Sequence, residues 1–107
     1  MAANYADDIR RYQPNINDRA LAGIVKHLGI ALKSSDASKV SCTSKDELAR
    51  VRDRWLKKKL GLTDDDAKLD AAIADVCERM DGDTKKERVT FYYLLAKKFD
   101  RLGGLSA

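Results

Sequence analysis

The chain holds a single proline, Pro14, and of its six glycines only Gly82 lies between 62 and 102. Helix breakers are therefore scarce, and prolonged helix is permitted from Asn17 to Leu102, with breaks near Ser34–Thr43, Gly61 and Gly82. One histidine and two cysteines are the whole supply of soft metal ligands. Structural zinc takes four, which argues against such a site. The longest nearly uncharged run, Ala20–Leu32, contains Lys26 and falls short of the roughly 20 apolar residues that a bilayer demands, so no membrane span is expected. The N-terminal Met-Ala-Ala-Asn-Tyr-Ala-Asp-Asp is neither basic nor followed by a long apolar stretch, so no targeting segment is expected either. In that setting Cys42 and Cys77 are expected to stay reduced, in a cytoplasmic protein.

What is present fits one small domain. Of 107 residues, 44% are hydrophobic and 36% charged, enough apolar material for a single core. Three phrases punctuate it: Ser44-x-x-Glu47, Thr63-x-x-Asp66 and Thr84-x-x-Glu87. Each pairs a hydroxyl that can cap a helix start with an acid three positions later that can reach back. They divide the chain into five helices, near Asn4–Tyr12, Asp18–Lys33, Lys45–Leu60, Asp64–Met80 and Lys85–Leu102.

Asn17 can cap the second helix, with Ile16 and Leu21 as a hydrophobic staple. Its stripe of Leu21, Ile24, Val25, Leu28 and Leu32 suggests a place in the middle of a bundle. The third helix aligns Leu48, Val51, Trp55 and Leu62, and Gly61 suits a left-handed C-terminal residue. The fourth carries Leu69, Ala72, Ile73, Val76, Cys77 and Met80. The fifth holds six apolar residues in a row, Phe91–Ala96, which either fill the bundle centre or continue into a subunit interface.

The expectation is an all-α protein: a compact bundle of four main helices plus a short N-terminal helix. Residues 1–16 form the short helix and linker, 17–102 the bundle, and 103–107 a flexible tail. The stripe from Leu21 to Leu32 matches that from Leu69 to Met80 at an offset of 48, which suggests two pseudo-repeated helical hairpins, although any two amphipathic helices fit the same template.

Catalytic chemistry finds little purchase. His27 as a base and Cys42 as a nucleophile, with Lys39 and Lys45 nearby, is the one imaginable pair. Asp81-Gly82-Asp83 opens like a calcium loop, but Lys85 and Lys86 fall where an acid and the glycine belong. Asp64, Asp65 and Asp66 suit the positive end of the fourth helix, as Lys57, Lys58 and Lys59 suit the negative end of the third. No catalytic residue, metal ligand or cofactor is assigned.

Charge is unevenly spread. The net is +4 overall, +4 within Lys45–Lys59 and −6 within Thr63–Asp83. Arg50, Arg54, Lys57 and Lys58 would share one face of a regular helix and could track phosphates. Leu56–Ala72 imitates a helix-turn-helix, but its would-be recognition helix is acidic, which phosphate would repel. The basic and acidic helices can instead complement each other across a hairpin. Tyr92 and Tyr93 point in different directions, so one hydroxyl is expected at the surface.

The strings Ala22–Leu32 (AGIVKHLGIAL), Asp46–Thr63 (DELARVRDRWLKKKLGLT), Leu69–Cys77 (LDAAIADVC) and Arg88–Ala96 (RVTFYYLLA) resemble a family of short bacterial proteins, domain of unknown function 2853, over about Tyr5–Leu102. That resemblance implies a bacterial, all-helical, stand-alone domain and brings no catalytic residues. A fainter likeness is to tellurite-resistance B-like helical domains. At the position of their acidic metal-binding loop, Ser34–Thr43 holds only Asp36.

The functional expectation is a non-catalytic protein-interaction module, with an unknown protein partner or self-association. Its interaction residues are taken from Arg50, Arg54, Lys57, Lys58, Tyr92, Tyr93, Lys97 and Lys98. The alternatives are nucleic-acid binding through the basic third helix, and a Cys-dependent enzyme or redox function.

Overall fold

The computed structural model describes residues 5–29, 33, 39–82 and 86–105. Its elements are α1 (Tyr5–Arg10), α2 (Asp18–Leu28), β1 (Lys39–Val40), α3 (Lys45–Arg50), a π-helical segment that continues α3 (Val51–Lys59), α4 (Asp66–Arg79), β2 (Lys86–Glu87), α5 (Arg88–Lys98) and a C-terminal 3₁₀ turn (Leu102–Leu105). The all-α expectation holds, with one small addition: β1 and β2 pair antiparallel, Lys39 opposite Glu87 and Val40 opposite Lys86.

An unbroken apolar run has no face to show water, so α5 is enclosed. Every residue from Val89 to Ala96 is buried, with α1, α2, α4, the π-helical segment and the C-terminal turn packed against the helix. The central position expected for α2 thus belongs to α5. Helix α2 buries Ala20 and Ile24 fully and leaves Ala22, Lys26 and His27 exposed. Because one chain already covers Phe91–Ala96, the apolar surplus that suggested a subunit interface is used internally.

Polar links fix the packing around α5. The Thr90 hydroxyl, fully buried, donates to the Asp8 carboxylate and ties down α1. The Asn17 backbone N–H donates to the Tyr93 hydroxyl at 2.8 Å, so Tyr93 is inside rather than at the surface. Trp55 Nε1 donates to the Tyr92 carbonyl at 3.2 Å, and the two rings stack with centroids 4.5 Å apart.

The caps follow sequence logic in part. Asn17 caps α2 by accepting from Ala20 N–H, and Ser44 caps α3 by accepting from Glu47 N–H. The cap of α4 is Asp65, accepting from Lys68 N–H, rather than Thr63; a carboxylate there also meets the helix's positive end. Thr84 lies outside the described residues. Glu87, expected inside the fifth helix, is extended and paired in β2, and α5 begins only at Arg88. Gly61 takes the left-handed conformation expected of it, φ +70°.

The 3₁₀ turn beyond α5 buries Leu105, which is 3% exposed, and packs on α2. One further expectation is corrected: Cys42 and Cys77, read as free thiols, are joined in a disulfide with Cα atoms 6.0 Å apart. Sequence distance gave no hint of this: folding α4 beside α3 brings the two positions together. A paired-hairpin arrangement is visible for α4 and α5, whereas α2 packs chiefly on α5 and the C-terminal turn.

Gly23 is where that turn meets α2. A Cβ there would lie 1.6 Å from the Leu105 carbonyl oxygen. Helix propensity alone would make Gly23→Ala stabilising by about 1 kcal/mol. Displacing Leu105 from its site outweighs this, since burying a leucine contributes about 1.5–3 kcal/mol. A urea melt of Gly23→Ala should therefore show a lower midpoint, and a raised midpoint would contradict the packing described. Closing a loop of 35-residue separation also predicts that Cys42→Ser/Cys77→Ser loses about 3–4 kcal/mol in the same melt, by the chain-entropy relation.

Candidate functional site

The described residues include a cavity of about 300 Å³ lined by His27, Leu28, Glu47, Arg50, Arg54, Trp55, Arg88 and Tyr92. Four elements supply them: α2, α3, the π-helical segment and the start of α5. Three guanidinium groups against one carboxylate make it cationic.

The π-helical segment explains which basic residues reach it. Hydrogen bonds in such a helix run from i to i+5, as between Leu60 N–H and the Trp55 carbonyl at 2.9 Å. The wider turn puts Val51 above Leu56 and Trp55 above Leu60, and all four are buried. It likewise puts Lys57 in line with Arg52. Both then face α4: Arg52 lies 3.2 Å from Asp70 and 3.9 Å from Asp66, and Lys57 pairs with Asp66. The Asp66 carboxyl is held below its usual range, first by the hydrogen bond from Lys57. So the four-residue basic face expected of a regular helix divides. Arg50 and Arg54 line the cavity, Lys57 complements the acidic helix, and Lys58 is exposed. π-Helical turns are rare, and single-turn π-bulges are frequent at functional sites.

Arg88 is the most restrained cation of the site. Its side chain is 13% exposed. One guanidinium nitrogen donates to the Tyr92 hydroxyl at 3.2 Å. Another donates to the Lys39 carbonyl at 3.0 Å and pairs with the Glu47 carboxylate. The second oxygen of Glu47 accepts from Arg50 at 3.3 Å, so one carboxylate holds two arginines side by side. Burial pushes the Tyr92 hydroxyl above its ordinary value, outweighing Arg88, so Tyr92 stays a neutral phenol. Arg54 is exposed and has no ion-pair partner among the described residues.

His27 closes the mouth. Its ring lies 5.3 Å from that of Trp55. Its pKa falls below 6.5, first through partial burial and then through the nearby charge of Lys59. At neutral pH it is uncharged and able to donate or accept a hydrogen bond.

The other residues expected at an interaction surface are elsewhere. Tyr93 belongs to the core. Lys97 and Lys98 line a smaller cavity of about 160 Å³ with Gln13, Asp75, Val76, Arg79 and Leu94, where Lys98 pairs with Asp75 at 3.2 Å. Of the residues lining the cavity, Arg50, Arg54 and Tyr92 are legible in the sequence as basic or aromatic surface, whereas Glu47 and Arg88 carry no such signal. Glu47 reads as the back-reaching half of a capping box, yet its carboxylate turns to the arginines. Arg88 arrives through a two-residue strand pairing that leaves no periodic signal. The one imaginable pairing, of His27 with a Cys42 thiolate, fails because the sulfur is bonded to Cys77.

Removing the carboxylate that holds Arg88 leaves a largely buried cation uncompensated. Glu47→Ala should therefore lower the unfolding free energy by about 3 kcal/mol. Lys57→Ala, which breaks a more exposed pair, should cost no more than about 1 kcal/mol. Equal losses in paired denaturation curves would refute this ranking.

No helix among the described residues is long and apolar enough to cross a membrane. No curated protein matches the chain. A family model, however, matches residues 4–103, nearly the whole of it, and the chain belongs to that family, described as a protein of unknown function (DUF2853).

Proposed function

We propose that the protein is a non-catalytic interaction module whose cationic pocket receives a compact anionic group, a phosphate or carboxylate, carried by a partner protein. The observation that supports this is that Arg50, Arg54 and Arg88 line one cavity in which Glu47 is the single carboxylate, with Arg88 already oriented by fixed acceptors. Guanidinium groups suit both anions through paired N–H donors. Pre-orientation lowers the cost of ordering them on binding. A volume of about 300 Å³ is at the small end for ligand sites. It suits a head group whose carrier remains outside, beyond the exposed Arg50, Arg54 and His27. A cytoplasmic setting forms part of the same reading.

Nucleic acid is the second reading, since phosphate is common to both. It draws less support, because Arg52 and Lys57 are matched by Asp66 and Asp70, which leaves no continuous basic track beside the pocket among the described residues.

The test is calorimetry with sulfate and a phosphopeptide, in parallel with a short single-stranded oligonucleotide. Arg54→Ala should weaken sulfate and phosphopeptide about tenfold, the worth of one charge-assisted hydrogen bond, with stability little changed. Tighter binding to the oligonucleotide than to the phosphopeptide, and insensitive to Arg54→Ala, would favour the second reading. Absence of sulfate and phosphopeptide binding would refute the first.

Proton linkage adds a signed prediction. His27 holds its proton less tightly than an ordinary histidine. A bound anion must raise that affinity, so sulfate should bind more tightly as pH falls through the histidine range. Sulfate keeps its own charge over that interval. His27→Gln should flatten the dependence; an unchanged slope would place the titrating group elsewhere.

A further inference from the structure

Resting on that reading of the pocket, we infer that the Cys42–Cys77 disulfide is a thiol-sensitive latch that sets the pocket's affinity for anions. Cys42 stands three residues after Lys39 and five before Glu47. Those two residues supply the carbonyl and the carboxylate that hold Arg88. The disulfide anchors this segment to Cys77 on α4. Its other attachments are a two-residue strand pairing, the Lys39–Glu87 ion pair, Val40 in the core, and α3, which runs on into the buried π-helical segment. Both sulfur-bearing residues are only half-buried, within reach of an external thiolate. For the segment that orients the pocket's central arginine, the disulfide is thus the one covalent cross-link to α4, and thiols can cut it.

The chemistry is ordinary exchange with a dithiol reductant. One reductant thiolate attacks a sulfur of the pair and releases the other cysteine as a thiol. The second reductant thiolate then closes the reductant's own disulfide and frees the remaining cysteine. Two electrons and two protons pass to Cys42 and Cys77, and the reductant is oxidised by the same amount. In a reducing cytoplasm such bonds are characteristically transient and signalling rather than permanent staples. Opening the bond lets 39–47 move while α4 and α5 stay packed through Leu69, Ile73, Val76 and the buried face of α5. Arg88 then loses the Lys39 and Glu47 acceptors and keeps Tyr92, and the arginine cluster loses its pre-orientation.

The experiment measures sulfate binding to the full chain by calorimetry, oxidised and after reduction with dithiothreitol, with free thiols counted in each sample. Amide hydrogen exchange is recorded on both. The expected result is that reduction exposes two thiols and weakens sulfate about tenfold, the loss of one charge-assisted contact. Exchange should quicken most in 39–47 and 86–88, by more than the uniform increase that loss of the cross-link's global stabilisation gives α4 and α5. The Cys42→Ser/Cys77→Ser variant should match the reduced protein and ignore dithiothreitol. Equal sulfate affinity in both redox states would overturn the latch and leave the pocket reading intact. Exchange quickening by the same factor in 39–47, 86–88, α4 and α5 would overturn it in favour of a structural staple alone. Failure of the oxidised protein to bind sulfate would overturn both the latch and the pocket reading.

Discussion

One half-buried charge organises the molecule. A guanidinium withdrawn from water must have its donors satisfied or the fold bears a cost of several kcal/mol. Arg88 finds its acceptors on three different pieces of chain: the carbonyl of Lys39 in β1, the carboxylate of Glu47 in α3, and the hydroxyl of Tyr92 one turn along its own helix. Meeting that demand fixes where β1 pairs with β2, how α3 enters the bundle, and where the cavity opens. The pocket is thus a consequence of solving a burial problem, and its cationic character is the residue left once one carboxylate has been shared between two arginines.

Around that point the structure separates two jobs that a regular helix would have mixed. The π-helical turn sends Arg52 and Lys57 towards the acids of α4 and leaves Arg50 and Arg54 at the cavity. Exposed pairs of the first kind contribute little individually. What they do is neutralise a surface that would otherwise attract polyanions without selectivity. The cationic potential that remains is local, and local potential favours a single anionic group over an extended phosphate backbone.

The readable part of the fold was its periodic part. The stripe Leu69, Ala72, Ile73, Val76 and Met80 is buried as its spacing requires. The Phe91–Ala96 run is enclosed because it has no polar side, and Asn17, Ser44 and Gly61 act as their local chemistry suggests. The unreadable part depends on contacts far apart in sequence. Lys39 meets Glu87 and Cys42 meets Cys77 only after α4 and α5 have folded back. Glu47 could serve a backbone amide or a distant arginine with equal local plausibility, and tertiary packing chose the arginine. The third helix looked α-helical because single residues do not announce a five-residue hydrogen-bond step; hence Lys57 was grouped with the wrong face. Of the candidate site, Arg50, Arg54 and Tyr92 were legible as basic or aromatic surface, while the two residues that orient them were not.

The claim that most of this account depends on is that the arginine cluster is a preformed receptor for one anion. Its most direct measurement is a nuclear magnetic resonance titration of the oxidised protein with sulfate, following the arginine side-chain Nε–Hε signals and the His27 ring together. Saturable shifts of Arg50, Arg54, Arg88 and His27 along a common binding curve are expected, with Arg52 and the Lys97–Lys98 amides unmoved. Shifts spread evenly over the basic residues, or growing without saturation, would contradict it.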